Sequence, residues 1–379
     1  MSSQTLSRRR FAGTVGAAVG AALLPPRFLG SAAEASLARG EPRDLIQLNS
    51  NENPYGPSAR ALEASARLGT AAARYPDALE EEARDAIARH HGVGPERVVL
   101  GNGSSEVLRM AAAAFATPGK TVVAAEPTFE AVLGYARVTQ AEAVKVPLTH
   151  DFRHDLARMA AACDGRTGLV YVCNPNNPTG TIVGSEELAA FLSKVPPSAT
   201  VLVDEAYHHF VESSRYKGAL ELPGRFENLV VARTFSKIYG MAGLRLGYAV
   251  ASELSAAAMA RHASWNNVNA AALAAARASL ADPELVPRQR RLFNDTRHWL
   301  GAELARDGRR TIPSETNFLM IDVGGDVAPV IREFRNRKIL VGRKFPSMPN
   351  WLRVSIGTRE EMRAFLAGLR AIVPARAAA

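Results

Sequence analysis

The chain has 379 residues, of which 47% are hydrophobic and two are cysteines, and a formal net charge of +9. That length and apolar content bury one large core and a smaller one, and two cysteines make no disulfide framework. The basic excess is spread as arginine along helices rather than gathered in basic runs with interleaved aromatics, which argues against nucleic-acid binding, and no His/Cys cluster has metal-ligand spacing.

At the N-terminus, Ser7-Arg8-Arg9-Arg10-Phe11 precedes a mildly apolar run from Ala12 to Leu24, then Pro25-Pro26 and the small residues Ser31 to Ala35. Residues 1–35 read as an export signal with cleavage after Ala33 or Ala35. The apolar run is too short, and too rich in Gly and Ala, to span a bilayer stably. The pair Arg8-Arg9 with Phe11 reads as a twin-arginine signal, an ordinary Sec signal being the alternative. This predicts handling by the twin-arginine export machinery and a periplasmic mature protein. Residues 36–57 follow as an irregular arm, too polar at Asn49 to Asn53 for a strand interior.

Beyond the arm, residues 58–282 read as a large α/β domain and residues 283–379 as a smaller α+β domain. Helices are predicted over Arg60–Gly69 and Leu79–His91, then a strand over Val98–Leu100. The turn Gly101-Asn102-Gly103-Ser104-Ser105-Glu106 leads into a helix over Val107–Phe115. Its glycines permit a tight turn, and the first helical amides with the Ser104 and Ser105 hydroxyls suit an anion. A Gly-Ser cap explains the same letters without a ligand. Strands over Thr121–Ala125 and Ala143–Val146 and a helix over Leu156–Ala162 come next. Three further strands end in chemistry. The run from Val170 enters a turn holding Asn177, Val201 to Val203 ends at Asp204 with Tyr207 three residues on, and Leu229 to Ala232 delivers Ser236 and Lys237.

Asn177, Asp204 and Lys237 thereby fall at one edge of one sheet, where an open α/β fold places its ligand. Lysine loses its proton readily when desolvated, and its free amine then forms a Schiff base. A carboxylate at a buried strand end needs a cationic partner. Helices over Leu254–Ala263, Ala270–Leu280 and Glu284–Arg306 lead to the C-terminal part. There a strand at Asn317–Val323, a helix at Val327–Asn336, strands at Ile339–Val341 and Leu352–Ile356 and a helix at Arg359–Ile372 predict a small antiparallel sheet. Arg353 points to the face opposite Leu352 and Val354.

These motifs resemble the fold-type I aminotransferases that use pyridoxal 5'-phosphate, and among them the histidinol-phosphate aminotransferase family. The resemblance is carried by LNSNENPYGP at Leu48 to Pro57, RYPD at Arg74 to Asp77, GNGSSE at Gly101 to Glu106 and EPTF at Glu126 to Phe129. NPNNPTG at Asn174 to Gly180, DEAY at Asp204 to Tyr207, the lysine stretch and LRVSIGT at Leu352 to Thr358 continue it. It implies a mostly parallel seven-stranded sheet sandwiched by helices, and transfer of an amino group from an amino acid to a 2-oxo acid through a Schiff base on Lys237.

The resemblance also assigns roles. Asp204 lies at the pyridine nitrogen, Tyr207 and Asn177 at the phenolic oxygen, and Phe129 against the ring. Ser104, Ser105, Ser236 and Arg245 hold the phosphate, with Tyr75 reaching it from a neighbouring subunit, which implies a homodimer with shared active sites. Arg353 clamps the substrate α-carboxylate, a task suited to a guanidinium. Asn53, Tyr55 and Arg343 lie near the substrate. Ser105 stands where the family usually has Asp. Two other readings remain open at the level of sequence: a decarboxylase of the threonine-phosphate type, and a binding protein that has lost catalysis.

Overall fold

The computed structural model describes residues 45–222 and 226–374. Residues 1–44, which include the segment read as an export signal and the first part of the arm, lie outside the described residues. Seven strands form the central sheet in the order β2-β8-β7-β6-β5-β3-β4. They are β2 (Val98–Gly101), β3 (Thr121–Glu126), β4 (Glu142–Pro147), β5 (Thr167–Cys173), β6 (Thr200–Asp204), β7 (Leu229–Thr234) and β8 (Gly247–Ala251). Strands β7, β6, β5, β3 and β4 run parallel, whereas β8 is antiparallel to both β7 and β2.

The parallel strands read as unbroken apolar runs because both faces of the sheet are covered. Successive residues alternate between two apolar layers, as the two-residue period of a strand requires. Val170, Val172, Val201, Val203 and Val231 face one layer with Leu188 and Phe191 of α6 (Ser185–Leu192). Leu169, Tyr171, Leu202 and Val230 face the other, with Leu108 and Met110 of α3 (Ser104–Phe115) and Met259 of α7 (Glu253–Ala260). Each buried Val, Leu or Met adds about 1.5–3 kcal/mol, so the stack holds the sheet between its helices and fixes where the strands end. Strand β8, and helices α4 (Ala131–Val138) and α6, were not assigned from the sequence.

Two smaller sheets complete the chain. Strand β12 (Trp351–Ser355) pairs antiparallel with β10 (Phe318–Asp322), which pairs antiparallel with β9 (Thr311–Ile312). Against expectation, β11 (Ile339–Val341) does not join this sheet. It pairs in parallel with β1 (Ile46–Leu48), a strand inside the arm that the sequence reading left irregular. Three residues are too few to show an alternating pattern, and only a partner 293 positions away in the chain makes them a strand. The pairing anchors the polar run after Leu48 in place, so that Ser50, Asn51 and Glu52 line the cavity described next. Among the described residues, no helix is long and apolar enough to cross a membrane.

Candidate active site

Strand register delivers the chemistry to one edge. Cys173 of β5 lies opposite Asp204 of β6, which lies opposite Ala232 of β7. The ladder runs on past the strands, with Asn174 N–H donating to Asp204 O and Glu205 N–H to Ala232 O. The turns beyond these ends open on a cavity of about 430 Å³.

Asn177, Asp204, Tyr207 and Lys237 all line it. The Lys237 amine donates to the Ser50 carbonyl at 3.2 Å and lies 5.7 Å from the Tyr207 ring centroid. Burial pushes this ammonium down to about 8, helped by Arg353 and Arg245 and opposed by Glu52 and Asp204. Asp204 is 2% exposed. Burial raises its carboxyl to about 6, against the pull of hydrogen bonds from Tyr171 and the Ala206 amide. The site thus holds an amine that deprotonates at mildly alkaline pH and a carboxyl poised near neutrality, the shifts that a functional cleft imposes.

A second group lines the same cavity at the start of α3. Ser104 and Ser105 open that helix, and Ser236 and Arg245 face them. Arg245 donates to the Ala242 carbonyl at 3.0 Å and approaches the Ser236 hydroxyl at 3.4 Å. Glycine is required here. A Cβ on Gly103, whose φ is +77°, would sit 2.0 Å from the Arg245 guanidinium, and one on Gly247 would sit 2.3 Å from the Ser104 amide nitrogen. Backbone, three serine hydroxyls and a guanidinium therefore close on a space at a helix N-terminus, an arrangement built for an anion.

On the opposite wall, Arg353 is buried and donates from Nη1 to Asn177 Oδ1 at 2.7 Å and from Nη2 to the Asn49 carbonyl at 2.9 Å. Its Nε has no hydrogen-bond partner among the described residues. Arg343 stands at the rim, paired with Glu130 at 2.6 Å and with its guanidinium 4.3 Å from the Phe345 ring centroid. Phe129 also lines the cavity.

Not every expected residue arrives. Asn53 and Tyr55 do not line the cavity of a single chain. The Asn53 amide donates to Ile238 O and Gln289 Oε1 and its carbonyl accepts from Tyr55 N, so it braces the loop after Lys237. Tyr55 packs edge-on against Phe293. Tyr75 is 80% exposed and away from the cavity of its own chain. Conversely, Asn51, Thr128 and Thr234 line the cavity without having been singled out as site residues. Asn51 donates to the Tyr207 hydroxyl at 3.0 Å, which leaves that phenol its own proton to donate. Its φ is +55°, a left-handed conformation that Asn tolerates, but a backbone angle is not legible in a sequence.

The sequence profile described as "Aminotransferase class I and II" matches residues 43–369. The chain belongs to the class I and II aminotransferase family. This aminotransferase is 42% identical over 335 residues, 87% of its own length and 86% of the relative's, to a histidinol-phosphate aminotransferase of Moorella thermoacetica. It is 40% identical over 340 residues, 88% of its length and 91% of the relative's, to histidinol-phosphate aminotransferase 2 of Ralstonia nicotianae. A solved structure of histidinol-phosphate aminotransferase from Sinorhizobium meliloti in complex with pyridoxal-5'-phosphate superposes with a TM-score of 0.82 at 27% identity, covering 93% of this chain and 95% of that one. The chain is therefore a pyridoxal-phosphate-dependent aminotransferase of the α/β fold expected. The cavity suits that cofactor, because its amine, carboxyl and anion cradle meet an aldehyde, a pyridine nitrogen and a phosphate.

Proposed function

We propose that Lys237 carries the cofactor and moves the donor's α-proton, that Asp204 holds the proton of the pyridine nitrogen, and that Tyr207 and Asn177 bond the phenolic oxygen. Ser104, Ser105, Ser236 and Arg245 hold the phosphate, and Phe129 stacks on the ring. Bound pyridoxal phosphate supplies an electron sink for the pair left when the α-proton departs. Lys237 is suited to take that proton because its amine is partly neutral at neutral pH. Arg353 clamps the α-carboxylate of the donor, with its Nε available. The observation that carries this reading is that Lys237, Asp204 and Arg353 line one cavity from three separate parts of the chain.

The donor we propose is an amino acid, with its carboxylate at Arg353. A phosphorylated amine such as histidinol phosphate is the second reading, favoured by the names of the relatives and by Arg343 at the rim. A panel of amino donors added to the purified enzyme tests both, following loss of visible cofactor absorbance and keto-acid formation. Bleaching by one amino acid and not by histidinol phosphate supports the first reading. Failure of Lys237→Ala to lose turnover would sink the lysine assignment.

We further propose a homodimer in which Tyr75 reaches the neighbour's phosphate. Its support is exposure. Tyr75 is 80% and Trp265 95% exposed, and Asn266 donates to Asp77 at 2.9 Å, tying the two segments that carry them together. Sedimentation of wild type and Tyr75→Ala, with cofactor affinity, checks it. Export by the twin-arginine route rests on Arg8-Arg9; replacing both with Lys should retain the enzyme in the cytoplasm.

A further inference from the structure

Tyr171 has no place in the roles above, yet its hydroxyl is directed at them. It lies on β5 and is fully buried. Register sets Tyr171 opposite Leu202, two residues before Asp204 on β6. Residues two apart share a face, so the tyrosine ring reaches diagonally to the carboxylate at the strand end. The hydroxyl donates to Asp204 Oδ2 at 2.8 Å, and the Ala206 amide donates to Oδ1 at 3.1 Å. Each carboxylate oxygen thus has one donor from the protein, and Tyr171 supplies the side-chain one.

We infer that Tyr171 is a positioning residue for the transamination chemistry, keeping Asp204 ionised and fixed in orientation at the cavity floor. This rests on the reading of Asp204 as the partner of the pyridine nitrogen. The physical case is that burial disfavours a charge on Asp204, and that the Tyr171 hydroxyl, the Ala206 amide and the Lys237 amine are what stabilise one. Burial is the largest influence on it and raises its pKa. The groups facing it are Tyr171 and Cys173 from β5, Glu205 and Tyr207 from the turn after β6, and Lys237 from the turn after β7. Glu205 opposes ionisation and Lys237 supports it. Hydrogen bonds to the charged form are the remaining lever, and a phenol donating to a carboxylate in a dry site is a strong one.

A buried tyrosine also needs an acceptor for its own sake, and a purely structural role predicts a stability change with unaltered chemistry. The experiment therefore compares the cofactor-loaded wild type with Tyr171→Phe and Asp204→Asn. Tyr171→Phe keeps the ring and removes only the hydroxyl. The readouts are the pH titration of the bound cofactor's visible absorbance, the pH profile of kcat and kcat/KM, and cofactor affinity. The expected result is that Asp204→Asn loses activity at every pH. Tyr171→Phe should shift the acid limb of kcat upward by about one pH unit, giving about tenfold less turnover on that limb and near-recovery at alkaline pH. The absorbance titration should move with it while KM changes little. If Asp204→Asn is inactive but the Tyr171→Phe profile and titration superimpose on wild type, the inference about Tyr171 is overturned and the role of Asp204 stands. Full activity in Asp204→Asn overturns both.

Discussion

Asn177 Oδ1 accepts a 2.7 Å hydrogen bond from Arg353 Nη1, across 176 positions of sequence. One bond thereby joins the turn after β5 to the antiparallel C-terminal sheet, and it aligns the guanidinium that faces the cavity. Replacing Arg353 with Lys keeps the charge but removes the planar fork. We expect kcat/KM for amino acid donors to fall on the order of a hundredfold, equivalent to about 2.7 kcal/mol, with cofactor absorbance unchanged. Steady-state kinetics and a spectrum of the same sample check both halves.

Lys237 makes stability depend on pH in a direction that can be worked out. Its folded pKa of about 8 lies below the ordinary value of 10.5, so between the two the unfolded chain binds more protons than the folded one. Stability conferred at this site therefore rises with pH from about 8 to 10.5, and the penalty is complete below 8. In cofactor-free protein, Lys237→Met should be more stable than wild type at pH 7, by no more than about 3 kcal/mol and less in proportion to the solvent that reaches the amine. The difference should vanish toward pH 10.5. Urea unfolding of both proteins at pH 7, 9 and 10.5 measures it, and an equal gap at all three would contradict the assignment.

Gly247→Ala tests the anion cradle. The added Cβ would fall 2.3 Å from the Ser104 nitrogen, an atom of the backbone that has no flexible way to yield. Ser104 must move, and with it the first turn of α3. We expect cofactor affinity to drop by tenfold or more, about 1.4 kcal/mol or more, with the secondary structure retained. Equilibrium titration with pyridoxal phosphate, beside circular dichroism, reads the effect.

Below the sheet edge, Arg233 and Glu205 form a buried ion pair at 2.7 Å. Glu205 also accepts from the Ala219 amide at 2.7 Å and from the Tyr216 hydroxyl. Burial pushes the Glu205 carboxyl up, but Arg233, His208 and these hydrogen bonds outweigh it and hold it at about 2. Stability from this carboxylate is present above its ordinary value of 4.5 and is lost as pH falls toward 2. Glu205→Gln leaves Arg233 buried without its counter-charge and should cost about 3–5 kcal/mol. Thermal unfolding from pH 7 downward should show the gap between wild type and variant narrowing in acid.

Much of the site was legible as motifs because the residues proposed to do its chemistry sit next to strand ends. Asn177, Asp204 and Lys237 each follow an apolar run, and parallel strands buried on both faces are the most recognisable elements in a sequence. The cradle at Ser104 was legible only in company: a Gly-Ser turn is also an ordinary helix cap, and the strand before it together with Lys237 elsewhere pointed to an anion. Elements that depend on distant partners were not visible. Strand β1 exists through β11, β8 through β7 and β2, and Tyr171 looks like one more apolar residue of a core strand until Asp204 is placed beside it. Asn53 shows the converse, a motif residue whose amide the fold turns away from the cavity and onto Ile238 and Gln289.

By itself, the sequence determined the strands and helices with strong local pattern, the class of chemistry and the residues able to perform it. Local apolar periodicity dictates the first, and lysine, aspartate, asparagine and arginine have distinct chemistries that dictate the others. Tertiary structure alone decided which groups touch. Register set Tyr171 against Asp204, the β1–β11 pairing laid Ser50 and Asn51 over Lys237, and the shared burial shifted two titrating groups toward neutrality. The physical reason is range. Backbone preference and periodicity act over a few residues, whereas desolvation and hydrogen bonding depend on what the rest of the chain brings near.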